Sequence, residues 1–377
     1  MASSKDLPPS TKSYMKLFFE SQFRTKPQQL PRGTNLCDRG MFSETNLISC
    51  SRRQLLRLPY KDQLADMASG STSVAIVTGS NVGLGYEAAR QLLSFNLSSL
   101  ILAVRSVQNG ELAATKLSKQ YPKASIRVWS LDMASYQSIE AFAKRAGSDL
   151  ARLDLVILNA GVGNVKFEVN NSTGHEEMMQ VNYLSTMFLA ILLLPVLKQR
   201  APPNVPGRLS IVSSGLAFLA KIPEKNQAIL TSLDKPDKFD PMTNYSVSKL
   251  LSHMFIYQLQ DWVSAEDVVV NLVDPGYVKG TKLQRQVTGI GGAILWLLGA
   301  ATARRVEHGA STYLDATISK GKESHRCYLA DWRIQPFAPL LYTPHGKQLI
   351  EQVWRETLDE FDFVNARGIL NSIASKE

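Results

Sequence analysis

The sequence predicts an α/β protein with a parallel, doubly wound sheet and helices on both faces. Three observations point there. From residue 74 onward, short apolar runs alternate with longer amphipathic ones, the pattern of strands alternating with helices. The strand expected at 153–158 is apolar without alternation from Leu155 to Leu158, as in a strand covered on both faces. A glycine-rich stretch, Thr78-Gly79-Ser80-Asn81-Val82-Gly83-Leu84-Gly85, joins the first strand to the first helix.

The elements follow in order. Residues 11–24 read as a short amphipathic helix, broken afterwards by Pro27, Pro31 and Gly33. Residues 38–72 carry scattered apolar side chains, several serines and the basic group Arg52, Arg53 and Arg57, and read as a poorly ordered insertion. Strands are expected at 74–78, 100–104, 126–131, 153–158, 208–212 and 268–273. Helices are expected at 86–95, 111–120, 136–146, 176–197 and 245–260. After these come a substrate lid at about 277–303, a helix from Val306, a late strand near 327–329 and a terminal helix near 346–361. The chain thus divides into an N-terminal amphipathic extension (1–37), the insertion (to 73) and one α/β domain (74–377), whose segment 215–244 reads as a wall of the substrate cleft.

Composition narrows the classes. Of 377 residues, 44% are hydrophobic and 20% charged, an ordinary globular balance. The net charge is +9, and residues 1–73 hold about half of it, with eleven Lys/Arg against six Asp/Glu. No basic block, zinc spacing or nucleic-acid motif accompanies that charge, so no nucleic-acid partner and no metal are expected. Cys37, Cys50 and Cys327 are odd in number and far apart, which fits a reducing, cytoplasmic setting. The polar, proline-bearing opening does not read as a signal peptide. The apolar runs 184–197 and 290–301 are shorter than a membrane span. The first reads as a buried helix at a homodimer interface. The second reads as a lid over an apolar pocket, or as a peripheral membrane contact.

The glycine-rich stretch points to a dinucleotide. A tight turn after a strand and close approach of a pyrophosphate both need glycine, and the next helix N-terminus offers free N–H groups to the phosphates. Thr78, Gly79, Asn81, Gly83, Leu84 and Gly85 are the candidate cradle. At the end of the second strand a carboxylate would read the ribose 2′-hydroxyl of NAD. This chain has Val104 and then Arg105, whose guanidinium suits a 2′-phosphate, so NADP(H) is favoured over NAD. Arg105 is otherwise a solvated charge. Asp132 either accepts from the adenine amino group or caps the following helix. Asn159-Ala160-Gly161 ends the fourth strand, where small residues let the backbone lie close to a flat ring and Asn159 can pin neighbouring strands.

Tyr245 and Lys249 are four residues apart, one turn along one helix face. A nearby ammonium is expected to lower the phenol pKa from about 10, so that Tyr245 gives a proton in carbonyl reduction and takes one in alcohol oxidation. Lys249 also suits the nicotinamide ribose. Ser214 can hold the substrate oxygen, and Asn182 can hold a water linking Lys249 to solvent. Singly, each has a plainer reading as a packing, turn or surface residue. The ordered set behind a cofactor cradle points to an enzyme rather than to a non-catalytic NADP(H)-binding regulatory protein, the alternative.

These residues resemble the short-chain dehydrogenase/reductase superfamily, and the resemblance runs from about 74 to 276. Thr78–Gly85 is similar to its cofactor motif. Asn159-Ala160-Gly161 is similar to its Asn-Asn-Ala-Gly segment, with Leu158 in place of the first Asn. Asn182, Ser214, Tyr245 and Lys249 fall where the family keeps its catalytic tetrad. Pro275-Gly276 resembles the turn beside the nicotinamide, and Thr281 lies near the family's carboxamide contact, one residue late. Leu102-Ala103-Val104-Arg105-Ser106, Gly174-His175-Glu176 and the long 215–244 segment resemble the retinol-dehydrogenase-like branch and its fungal members. The resemblance implies a Rossmann-like fold and an NADP(H)-linked oxidoreductase acting on a lipophilic carbonyl or alcohol, sometimes in secondary metabolism. It also implies subunit pairing through the 184–197 helix and the Tyr-Lys helix.

Overall fold

The computed structural model describes residues 3–25, 73–222, 228–279 and 303–374. The expectations for residues 38–72, for Thr281 and for most of the 277–303 lid therefore lie outside the described residues, as do Cys37, Cys50 and the 290–301 run.

Eight strands form one sheet: β1 (Val74–Thr78), β2 (Ser99–Val104), β3 (Ser125–Ser130), β4 (Leu155–Leu158), β5 (Gly207–Val212), β6 (Val268–Asp274), β7 (Cys327–Ala330) and β8 (Arg333–Gln335). Their spatial order is 3-2-1-4-5-6-7-8. All neighbours are parallel except β7 and β8, an antiparallel hairpin. β1, β4 and most of β5 and β6 are buried, which explains why β4 is apolar throughout; inside β5 and β6 the buried Ser210 hydroxyl donates to Asn271 Oδ1 at 2.7 Å. The order reverses direction between β1 and β4. In such sheets the crevice outside the strand carboxyl ends at this reversal is where ligands bind.

Helices follow the strands: α1 (Tyr14–Phe19) in the N-terminal segment, α2 (Gly83–Ser94), α3 (Val107–Gln120) and α4 (Tyr136–Asp149). The helix Glu177–Arg200 is α5, followed by α6 (Pro241–Gln258), α7 (Val306–Leu314), α8 (Pro344–Glu360) and α9 (Ala366–Ile373). On α2 the buried positions Gly85, Ala88, Ala89, Leu92 and Leu93 repeat at helical spacing and set one stripe on the sheet. α2, α3 and α7 cover one face of the sheet. α4, α5 and α6 cover the other, with α8 and α9 packed outside them.

Three helices start earlier than their sequence periodicity suggests, among them α3, which begins at Val107 behind its Ser106 cap. α2 begins at Gly83, because the glycine turn itself opens the helix. α6 begins at Pro241, with Asp240 accepting from the Thr243 N–H at 2.7 Å as its cap. Tyr245 therefore lies a full turn inside α6. The antiparallel strand β8 and the final helix α9 were not expected. Both are short, and α9 owes its place to a few apolar contacts.

α5 is long and apolar enough to cross a membrane, but 83% of its apolar window is buried inside the protein. It packs against α4 and α9, so its apolarity is accounted for within one chain. The expectation that this face needs a partner subunit loses that ground. A π-helical turn at Gln180–Leu184 interrupts α5, where a continuous helix was expected.

Candidate active site

The carboxyl ends of β1 to β6 converge on a cleft of about 1200 Å³. That exceeds the ~300–1,000 Å³ typical of small-ligand sites and leaves room for a dinucleotide plus a substrate.

One half is the glycine turn. Gly79 has φ +64°, a left-handed conformation that glycine adopts at little cost. Gly85 is required by contact: a Cβ there would lie 2.5 Å from Asn159 Nδ2 and 2.6 Å from the Gly79 carbonyl oxygen. The turn is pinned to β4 by Thr78, whose hydroxyl accepts from the Asn159 and Ala160 N–H groups, each at 2.9 Å. Asn159 returns a bond from Nδ2 to the Thr78 carbonyl at 2.9 Å, so its role as a pin between strands is visible in the geometry. Val82, the residue before α2, supplies no side-chain cap, whereas Ser106 and Ser135 cap α3 and α4. The first N–H groups of α2 thus remain open to an anion. Asn81 and Leu84 line the same half, and Leu84 also packs against α7 at Gly309.

Arg105 is exposed at the end of β2 and lines the cleft beside Ser106. Asp132 lies on the same wall, and its Oδ1 accepts from the Ala134 N–H at 3.0 Å. The cap of α4 is Ser135 rather than Asp132. These residues would suit a nicotinamide dinucleotide: a cradle with no room for a side chain at Gly85, an uncapped helix end and a guanidinium on the adenosine side.

The other half holds the tetrad expected from sequence. Lys249 is buried, donates to the Val212 carbonyl at 3.0 Å and lies 5.7 Å from the Tyr245 ring centre. Burial holds the Lys249 ammonium down to about 8, against the pull of Asp274. Tyr245 moves opposite to the expectation. Burial chiefly, helped by the Asp274 charge, raises its phenol above the ordinary value, and the nearby Ser214 hydroxyl only partly offsets this. The physical reason is that a buried phenolate loses its water, and the Asp274 charge acts in the same direction. Tyr245 is a neutral phenol at pH 7, poised to donate.

Ser214 ends the β5 loop and accepts from the Leu216 N–H at 3.2 Å. Asn182 sits in the π turn of α5, its Oδ1 accepting from the Val162 N–H at 2.8 Å and its Nδ2 donating to the Val162 carbonyl at 2.9 Å. Nδ2 also reaches Ser248, next to Lys249, at 3.4 Å. Gly161 lies against Asn182. Pro275 and Gly276 form the turn after β6 and line the cleft.

Sequence reasoning missed Asp274. Its carboxylate accepts from the Gly215 and Gly276 N–H groups, each at 2.9 Å, and from the Tyr328 hydroxyl at 3.0 Å. Burial nevertheless raises its pKa. A signal was available, since Asp274 ends a strand whose neighbours all deliver site groups from their carboxyl ends. Tyr313 was missed as well; its hydroxyl donates to Asn159 Oδ1 at 3.2 Å. His253, one turn beyond Lys249, is kept neutral: burial and the Lys249 charge hold it down to about 3. Its Nδ1 faces the Ala338 N–H at 3.4 Å, so the ring proton sits on Nε2 toward Ser213.

A sequence profile of the short chain dehydrogenase family matches residues 73–223. The short chain dehydrogenase/reductase mfmJ of Annulohypoxylon moriforme is 50% identical over 375 residues, covering 99% of both chains. This chain belongs to the short-chain dehydrogenase/reductase family. Another member, the short chain dehydrogenase virL of Hypocrea virens, is 43% identical over 306 residues, 80% of this chain and 88% of that one. Among solved structures, L-sorbose reductase from Gluconobacter frateurii, complexed with NADPH and L-sorbose, matches with a TM-score of 0.53 at 19% identity. The match covers 69% of this chain and 96% of that one. It bears out the Rossmann-like sheet. Family membership makes the protein an oxidoreductase that uses a nicotinamide cofactor and is consistent with carbonyl–alcohol interconversion.

Proposed function

We propose that this dehydrogenase/reductase is an NADP(H)-dependent enzyme that interconverts a carbonyl and an alcohol on a lipophilic small molecule, with Tyr245 as the proton donor and acceptor. The observation that carries the reading is the meeting of Tyr245, Lys249, Ser214 and Asn182 on one side of the cleft whose other side is the glycine cradle. The bound cofactor supplies the hydride. Ser214 and Tyr245 hold the substrate oxygen, and the neutral Tyr245 phenol gives it a proton. Lys249, cationic below about pH 8, offsets the phenolate left behind and reaches the ribose hydroxyls. Asn182, fixed at both ends by Val162, keeps the α5 break beside Lys249 in place.

Arg105 supports NADP(H), since no carboxylate stands at the end of β2 to favour NAD. Replacing it with Asp should shift preference towards NADH, read as the ratio of kcat/KM for the two cofactors. An unchanged ratio removes Arg105 from phosphate recognition. The side chains of Leu17, Phe18, Leu216, Phe218 and Met242 support a lipophilic substrate.

The test is NADPH oxidation against lipophilic ketones, aldehydes and quinones, with native protein and Tyr245→Phe. The variant should lose about 10²–10⁴-fold in kcat. Activity near native would remove Tyr245 from the mechanism. Tight NADPH binding without turnover of any carbonyl would favour the non-catalytic NADP(H)-binding protein. Against that alternative stands the burial of Lys249, a costly placement for an ammonium that serves no chemistry.

A further inference from the structure

The N-terminal segment 3–25 lies far in sequence from the cleft, yet it is fastened across it at two ends. At the first, Ser4 is fully buried against β7. Its hydroxyl accepts from the Tyr328 N–H at 2.8 Å, and its carbonyl accepts from the Tyr342 hydroxyl at 2.5 Å. Lys5 adds a contact over the Tyr257 ring at 4.6 Å. At the second end, Arg304 donates to the Ser21 carbonyl at 3.1 Å and to its hydroxyl at 3.0 Å, while Ser21 donates to Asp331 at 2.7 Å. Arg304 is itself buried, paired with Asp331 and bonded to the Pro275 carbonyl at 3.1 Å. The second anchor is thus joined to the turn that follows β6.

Between the anchors, α1 crosses the cleft. A Cβ placed on Gly215 would lie 3.1 Å from Asp274 Oδ2, 3.6 Å from Tyr14 Cε2 and 3.9 Å from the Tyr328 hydroxyl. Tyr14 is therefore packed beside the residue that follows Ser214. Burial chiefly, helped by the Asp274 charge, raises its phenol well above the ordinary value, so it too is neutral. The Tyr14 ring is 6.2 Å from the Phe18 ring, which is 6.2 Å from the Tyr277 ring after β6. Met15 and Met242 stand more than half exposed on the cleft lining. Three rings along one wall, tilted by 34° and 50° from one to the next, with apolar side chains at the mouth, offer ring faces and edges to an aromatic ligand. Ring-on-ring contact adds about 0.5–1.5 kcal/mol beyond the area buried.

We propose that residues 3–25 form the roof of the substrate half of the cleft and that Tyr14 is a specificity-determining residue whose ring selects planar aromatic carbonyl compounds over flexible aliphatic ones. The proposal deepens the reading of the cleft as the site of carbonyl reduction and rests on it.

Two methyl ketones of twelve carbons, 2-acetonaphthone and 2-dodecanone, separate the shapes. Binding of each to the full chain is measured by calorimetry with and without NADP+, where no turnover occurs, for the native protein, Tyr14→Phe and Tyr14→Leu. The native protein should prefer the naphthyl ketone. Tyr14→Leu should lower that preference about 3- to 10-fold. Tyr14→Phe, which keeps the ring, should retain it, and NADP+ affinity should be unchanged in both variants. A preference that survives Tyr14→Leu, no native preference, or an equal loss in Tyr14→Phe would overturn the proposal. A parallel assay of NADPH oxidation by Tyr245→Phe tests the catalytic reading by itself, so that either idea can fail while the other stands.

Discussion

The two halves of the cleft are built in different ways. The cofactor half comes from consecutive segments: β1, its glycine turn and α2, then the ends of β2 and β3 with Arg105 and Asp132, all within about sixty residues. The substrate half is assembled from the far ends of the chain. Tyr14, Gly215, Asp274 and Tyr328 meet at one point, although more than three hundred residues separate the first from the last. The first half is held by the backbone of its glycine turn and by the Thr78–Asn159 bonds, and leaves no space for a side chain at Gly85. The second is held by side-chain bonds among remote segments. The difference teaches that cofactor binding is rigidly specified here, while substrate choice hangs on anchors that can be altered singly.

Substitutions can break this contrast. The largest effect should come from Gly85→Ala. The added methyl meets Asn159 Nδ2 at 2.5 Å and the Gly79 carbonyl at 2.6 Å, so the turn must shift. Overpacking of this kind costs about 1–3 kcal/mol. NADPH affinity should fall by roughly an order of magnitude or more, since ~1.4 kcal/mol is tenfold in binding, while binding of 2-acetonaphthone without cofactor changes little. Equal damage to both would mean that the halves are not independent.

A smaller effect is expected from pH, acting through a clamp outside the cleft lining. His175 precedes α5 and is clamped by Asp234 of the 215–244 segment at 2.8 Å and by Glu360 at the end of α8 at 3.6 Å. Burial pushes the imidazole down, but the two carboxylates outweigh it and raise the pKa to about 9. A raised histidine binds more protons folded than unfolded. The stabilisation is complete below about pH 6.5 and is lost as pH rises through about 9, with a magnitude of roughly 1–3 kcal/mol. Denaturant melts of native protein should weaken over that window, and His175→Gln should flatten the decline. A native curve that is flat from pH 6.5 to 9 would deny the clamp.

The finest distinction is electrostatic. Asp274 raises the pKa of both Tyr245 and Lys249. Asp274→Asn should therefore move both downward, and the alkaline limb of kcat/KM for reduction should shift to lower pH, by up to about one unit. A shift upward, or none, would separate Asp274 from the catalytic pair.

Much of the sheet was legible because strands buried on both faces are mostly apolar, and Leu155–Leu158 showed this plainly. The glycine turn was legible because only glycine allows its φ and its contacts. Tyr245 and Lys249 were readable from helical spacing. The direction of the Tyr245 shift was not, since spacing reports neighbours and not burial, and burial decided the sign. The π turn at Asn182 was hidden because its sequence is as apolar as a regular helix. The 184–197 run carries the same lesson: an apolar run says that it will be covered, not by what, and α4 and α9 of the same chain pack against it.

By itself the sequence determined the layered architecture, the glycine turn and the order of Asn182, Ser214, Tyr245 and Lys249 along the chain. These follow from local rules: strand alternation, glycine conformation and helical period. Only the tertiary structure decided that Asp274 lies beneath Tyr245 and Lys249, that His253 stays neutral, and that residues 3–25 roof the cleft. Those outcomes depend on which remote segments exclude water from one another, and no window of sequence carries that information.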